Sequence, residues 1–400
     1  MSGKEVDSAL LTNSEEEGSN KTFKVAFLIT MPVFMAYACC FSLQHRLSFV
    51  FGLTEGVSGD SRSKIYGVGT SFVYFFNLIF RVFGHNIFMG CYTPRVRVII
   101  SLFSMIVGMI MLSFLSYSSE PPALAWVFIS YAFCGVCEGS YGPNMLNVVN
   151  HLGDTRLYVV LAMPVGVATI SIVAFALMAN GVPFQWFYII TAIALACAIV
   201  LYYFTIFPLV NDSSNHQNEF KLADFWRDLK EIGNWFPKIW WHSLVFLVNM
   251  VCLALFNPGC TLYVYQSRVR FRLFGWTLHH DWFLFLYNIG SFLGDFVSRR
   301  VMNHKKIINP IFYFMLLCFA FTINVSLIPE IAPFAAFGFS WANGGLYCQS
   351  TKYISELFKE GYHLTATSSW LFIGDIGSTT GSNLVQFIRP VMAKLKSIMY

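Results

Sequence analysis

Three acids and an arginine sit inside stretches of sequence that otherwise carry almost only apolar side chains. In residues 281–306, DWFLFLYNIGSFLGDFVSRRVMNHKK, Asp295 and Arg299 are four apart. That spacing puts them on one helix face with the acid N-terminal to the base, the favourable order for a pair. A charged residue at the centre of a membrane helix costs roughly 2.5 to 3.5 kcal/mol, so this face should meet protein or water rather than lipid. A plainer role is open too: Arg299 and Arg300 stand where a span would end on the cytoplasmic side, as orientation signals, with Asp295 merely neutralising Arg299. Glu138, in FCGVCEGSYGPN, has no basic residue within one turn of its helix. It is expected to be protonated, bonded across helices or turned toward a watery cavity, with Pro143 able to break the span there. Asp375, in WLFIGDIGSTTGSN, lies among Gly374, Gly377, Ser378 and Gly381, a face suited first to helix packing, with a Ser or Thr of its own helix as partner.

Nothing around these acids resembles a nucleophile with an oriented base, a Gly-rich phosphate loop or a histidine set with metal spacing. Cys134 and Cys137 form C-G-V-C without the second pair a metal site would need. A buried polar constellation without catalytic machinery indicates a translocation pathway, not an enzyme, and requires no cofactor.

The elements that must position these residues are membrane helices. Of 400 residues, 56% are hydrophobic and 12% charged, where a soluble chain has about a quarter charged, so the chain is an integral membrane protein whose first partner is the bilayer. The formal charge of +5 implies no nucleic-acid partner, because cations at the membrane edges account for it. Apolar runs long enough to cross about 30 Å of hydrocarbon fall at 24–44, 65–85, 97–117, 123–145, 156–179, 185–208, 238–258, 280–300, 307–328, 332–354 and 365–388. The expectation is therefore an all-α protein of eleven transmembrane helices: a disordered tail at 1–22, a six-helix bundle at 23–208, a linker at 209–237, a five-helix bundle at 238–388 and a tail at 389–400. Within the linker, Phe220, Leu222, Phe225, Leu229 and Ile232 have the spacing of a short helix on the membrane surface. With the N-terminus inside, seventeen of the 26 Lys and Arg lie on the inner side, and the hairpins at 118–122 and 180–184 carry none. The N-terminus is thus expected in the cytoplasm and the C-terminus outside.

On these features the chain resembles the equilibrative nucleoside transporter family over nearly its whole length. Six spans, a large cytoplasmic loop and five more spans is that family's arrangement. Asp295-Phe-Val-Ser-Arg299 resembles its D-x-x-G-R signature, with Ser298 in place of Gly and Phe292 where many members have Asn. F-C-G-V-C-E-G-S resembles a segment in which a glutamine precedes Gly-Ser, and Glu138 takes that position. Pro32, followed fourteen residues later by Arg46-Leu47, matches the family spacing, although Val33 replaces a tryptophan and the nearby substrate-facing position is Tyr37. Pro94 to Leu102, LALFNPG at 253–259 and WANGGL at 341–346 add matches in the expected order.

The resemblance implies a major-facilitator-like fold of two bundles rocking about a central site, in which Asp295 and Arg299 hold the sugar hydroxyls. Glu138 would then meet the nucleobase, with Tyr37 and Val33 shaping the base pocket. The function it implies is facilitative transport of nucleosides, above all purine nucleosides and also nucleobases, by alternating access across the plasma membrane. Proton-coupled nucleoside uptake with Glu138 titrating, and carriage of another polar solute or organic cation on the same fold, are the alternatives. An orphan receptor or membrane enzyme is a more distant one.

Overall fold

The computed structural model describes residues 24–53, 61–83, 88–89, 91–149, 152, 155–209, 227, 230–260, 270–273, 276–326, 328–358 and 362–399. The expected tail at 1–22 and most of the surface helix of the linker lie outside these residues. The described chain folds into eleven long helices: α1 Lys24–Ser42, α2 Ser61–Phe83, α3 Pro94–Ser116, α4 Ala125–Val149, α5 Thr155–Ala179 with a π-helical stretch at Thr169–Ala174, and α6 Gln185–Thr205. After the linker come α7 Ile232–Ala254, α8 His280–Asn303, α9 Ile311–Val325, α10 Ala332–Leu357 and α11 His363–Met399. A short helix, Gln44–Val50, extends α1. A short antiparallel hairpin of β1 Arg270–Leu273 and β2 Trp276–His279 precedes α8 in this otherwise helical chain.

Helix is the form these apolar runs must take, since a bilayer offers no partner for an open N–H or C=O. The ends follow local chemistry. Thr93 is extended and Pro94 opens α3, where a missing N–H costs nothing. Gly181, at φ +89, turns the chain between α5 and α6. α4 runs unbroken through Pro143, the residue able to break it. α7 begins six residues before the expected 238, because Trp235 is fully buried in the core of its bundle. α11 continues to Met399, so residues 389–399 of the expected tail at 389–400 are helical.

Five helical segments, Lys24–Ser42, Pro94–Ser116, Tyr158–Ala179, Gln185–Leu209 and Ile232–Ala254, are long and apolar enough to cross a membrane by length and composition alone. α9 is apolar but shorter. The remaining five, α2, α4, α8, α10 and α11, are diluted by polar residues, and between them they carry the buried charges of the candidate site.

One core lies within α1 to α6 and a second within α7 to α11. The two halves meet where α2 packs on α11 and where α8 packs on α5. Within the halves, α2 and α3 hold α4, and α8 holds α10. Glycines allow the closest of these approaches. A Cβ on Gly139 of α4 would strike the Asn77 carbonyl oxygen of α2, with Phe80 Cβ at 2.9 Å and Arg81 N at 3.0 Å. Gly142, one turn along, faces open space. Gly139→Ala is therefore expected to destabilise the protein by about 1–3 kcal/mol, and Gly142→Ala to leave it unchanged or slightly firmer. Thermal unfolding of the two variants in detergent checks the contrast; equal midpoints would show that α4 does not seat on α2 at this point.

Candidate functional site

Helices alternate in direction, so the molecule has a near face, where α1 starts, and a far face. Cross-helix contacts fix the assignment: Tyr66 Oη donates to the Gln44 carbonyl on the far side, and Tyr202 Oη to the Arg95 carbonyl on the near side.

In the second half, a polar chain crosses three helices. Arg299 Nε donates to Asp295 Oδ2 at 3.0 Å, Asn343 Nδ2 of α10 donates to Asp295 Oδ1 at 3.2 Å, and Asn249 Nδ2 of α7 donates to Asn343 Oδ1 at 2.9 Å. Side-chain exposure is 15% for Asp295 and 11% for Arg299, so the pair is well inside the protein. The guanidinium lies 4.9 Å from the centre of the Tyr347 ring, a cation–π contact that holds it flat. Gly344 makes the approach possible, because a Cβ there would strike Ser298 Oγ and come within 2.8 Å of Asp295 Oδ1. Arg299 Nη1 and Asn249 Oδ1 are buried and make no hydrogen bond. The chain thus leaves one guanidinium donor and one amide acceptor with unused hydrogen-bonding capacity beside a fixed carboxylate.

The first half carries a second polar group, and it reaches across to the other half. Arg81 of α2 forms an ion pair with Asp375 of α11, and Asn77 Nδ2 donates to Asp375 Oδ1 at 3.1 Å. Arg81 Nη2 also donates to Asn77 Oδ1 at 3.2 Å. Asp375 therefore does not look to the hydroxyls of its own helix as expected; Thr379 Oγ1 donates to the Asp375 backbone carbonyl instead. Glu138 lies beside this group, next to the Gly139 that seats on Asn77 and Arg81, and within electrostatic reach of both Arg81 and Asp375. Its Oε1 is buried without a hydrogen-bond partner. Tyr37 sits edge-on to Tyr74 at 6.5 Å and within electrostatic reach of Glu138 and Asp375. Val33 is 1% exposed and belongs to the core of the first half.

The candidate residues thus fall into two groups, Asp295 with Arg299 and Glu138 with Tyr37. No hydrogen bond or ion pair among the described residues links one group to the other. Sequence reading gave no part in the site to Asn77, Arg81, Asn249, Asn343 or Tyr347. An arginine four residues after an asparagine inside an apolar run was the available signal for Asn77 and Arg81. No group of three or more His, Cys, Asp or Glu among the described residues is placed to hold a metal ion.

On the far face the halves are closed. Arg46 Nη2 donates to Asp281 Oδ1 and Oδ2 at 2.6 and 2.7 Å. Asn288 Nδ2 of α8 donates at 2.7 Å to the Ser171 carbonyl in the π-helical stretch of α5. Phe175 packs there with Phe283, Leu284, Tyr287, Ala332 and Ala336, an apolar plug drawn from both halves.

No protein family is matched by the chain, and no curated protein matches it. Solved structures do. A D-xylose-proton symporter is matched at a TM-score of 0.62 and 12% identity, over 94% of this chain and 96% of that one. A POT-family transporter bound to 5-aminolevulinic acid is matched at 0.60 and 14%, over 94% and 93%. A peptide transporter bound to alafosfalin is matched at 0.58 and 15%, over 94% and 92%. At such identities the likeness is one of fold, and the major-facilitator-like two-bundle architecture is the fold of this chain.

Proposed function

We propose that the chain is a multi-pass membrane carrier that moves a small polar solute by alternating access, and that the solute is a nucleoside. The observation that carries this reading is the Asp295–Arg299 pair, buried in α8 with Arg299 Nη1 left over. A carboxylate accepts from the two adjacent hydroxyls of a ribose while the guanidinium donates to their oxygens, and neither group suits an apolar ligand. Glu138 and Tyr37, from the opposite half, would meet the base once the halves enclose the solute. A carboxylate there accepts from a ring N–H, and a protonated acid donates as well, so purine nucleosides and nucleobases are the favoured cargo. With the N-terminus in the cytoplasm of a plasma-membrane protein, the closed far face is the outer one, and the described conformation is shut toward the outside.

A second reading, a carrier of another polar solute or an organic cation, is favoured by the acid at 138 and by the likeness in fold to a peptide transporter and a D-xylose-proton symporter. Uptake of labelled adenosine into proteoliposomes, competed with uridine, hypoxanthine and free ribose, separates the two. Saturable uptake blocked by unlabelled adenosine, with ribose a poor competitor, is expected. A folded sample that takes up no nucleoside, yet takes up a labelled organic cation or peptide, would establish the second reading.

A further inference from the structure

The two polar groups are built on one plan. α2 carries Asn77 and Arg81, and α8 carries Asp295 and Arg299, in each case an amide or acid four residues before an arginine. Against them sit α4 with Glu138-Gly139 and α10 with Asn343-Gly344, and each glycine is the residue that lets its helix press on the arginine-bearing one. On these paired helices each group thus holds one guanidinium, one carboxyl and one carboxamide, with acid and amide exchanged between the helices. A third helix then adds a different residue to each: α7 adds the neutral amide of Asn249 to the second group, and α11 adds the acid Asp375 to the first. The second group is balanced, one acid to one arginine. In the first, Glu138 and Asp375 share one arginine.

We propose that the first group binds a proton, carried on Glu138, and that this proton couples the clasp between the halves to the movement of cargo. The proposal rests on the carrier reading above. With Glu138 protonated, Arg81 is free to pair with Asp375, as it does here, and the α2–α11 contact is held shut. Glu138 Oε1 is buried with no hydrogen-bond partner, a setting that costs a carboxylate more than a neutral carboxyl. When the proton leaves, Glu138 becomes a second anion competing for Arg81, and the clasp between the halves loosens. An excess buried charge is costly in a membrane protein, so the proton should not leave until cargo or conformation changes the surroundings. The groups facing Glu138 from neighbouring helices are Tyr37 and Cys40 of α1, Tyr74, Asn77 and Arg81 of α2, and Asp375 of α11, with Cys137 beside it on α4. Arg81 is the one cation among them.

Proteoliposomes with a trapped pH-sensitive dye and a clamped membrane potential test this. Addition of adenosine should acidify the lumen in step with its entry, and an inward gradient of one pH unit should accumulate it about tenfold, the limit for one proton per cargo. Asp375→Asn removes the surplus acid, and accumulation should fall to the level reached without a gradient while counterflow at equal pH remains measurable. Glu138→Gln should also abolish the dye response, which supplies a second variant if the first does not fold. Adenosine counterflow in the wild type without a dye response or accumulation would overturn the proton site and leave the carrier reading standing. Absence of counterflow would instead defeat the nucleoside reading; the same dye assay with the organic cation or peptide that is taken up then decides the proton site, which falls if that uptake brings no dye response.

Discussion

Asp295→Asn is expected to lower the transport efficiency for nucleosides by a factor of about 10 to 150, the equivalent of losing one charge-assisted hydrogen bond of roughly 1.5 to 3 kcal/mol. Both carboxylate oxygens already accept from the protein, one from Arg299 Nε and the other from Asn343 Nδ2. An asparagine fits the space but must turn its NH2 toward one of these donors. Either Arg299 loses its acceptor or the Asn249–Asn343–Asp295 chain breaks, and a buried donor left facing a donor is worse than a missing contact. Arg299 would then hold its place only through Tyr347, and the solute would lose the anionic acceptor for its hydroxyls. Initial rates of adenosine uptake, scaled to the amount of folded protein in the membrane, are the measurement. Unchanged affinity and rate in Asp295→Asn would remove these residues from the solute site. Arg299→Lys sharpens the result: it keeps the charge but not the planar fork, so a clamp should fail where a simple orientation signal would not.

The sequence foretold the fold better than the site, for a physical reason. A membrane span announces itself through the bulk cost of exposing polar groups to lipid, a property of about twenty consecutive residues. The spans expected at 97–117 and 185–208 accordingly appear as Pro94–Ser116 and Gln185–Thr205, the latter continued by a turn of 3-10 helix to Leu209. Errors gather where hydropathy stops being the governing quantity: at Trp235, which is drawn into the core from a polar stretch, and beyond 388, where α11 continues through Arg389 and Pro390. The Asp295–Arg299 pair was legible because it lies within one turn of one helix. The Asn77–Asp375 and Arg46–Asp281 contacts, 298 and 235 residues apart, were not, since their register depends on how two separate bundles dock. Glu138 shows the middle case. That it needed a polar setting could be argued from its own helix, but the charged neighbours within electrostatic reach, Arg81 of α2 and Asp375 of α11, come from other helices, Arg81 brought near by Gly139.

Arg46→Ala is expected to open the far face. Arg46 stands on the short helix after α1 and Asp281 at the start of α8, so their ion pair ties the two halves at the rim of the apolar plug. The asymmetry of the pair sets the size of the effect. Arg46 has a side-chain exposure of 32% and can find water when released, but Asp281 is 2% exposed and loses its bidentate donor in a dry setting. For a hydrogen-bonded charge pair of this kind the loss is about 1.5 to 3 kcal/mol, which moves the ratio of closed to open far faces by a factor of about 10 to 150. The apolar plug drawn from both halves and Asn288 on the Ser171 carbonyl remain to resist opening, so the shift should be large without being complete. A cysteine placed at Leu284, 2% exposed in the closed plug, reports it: a membrane-impermeant maleimide added from the far side should label it slowly in the Arg46 background and at least tenfold faster with Arg46→Ala. The reversed pair, Arg46→Asp with Asp281→Arg, should restore protection if the ion pair itself is the lock. Equal labelling rates in both backgrounds would mean that the plug alone closes this face, and that the arginine serves only to anchor the end of α1.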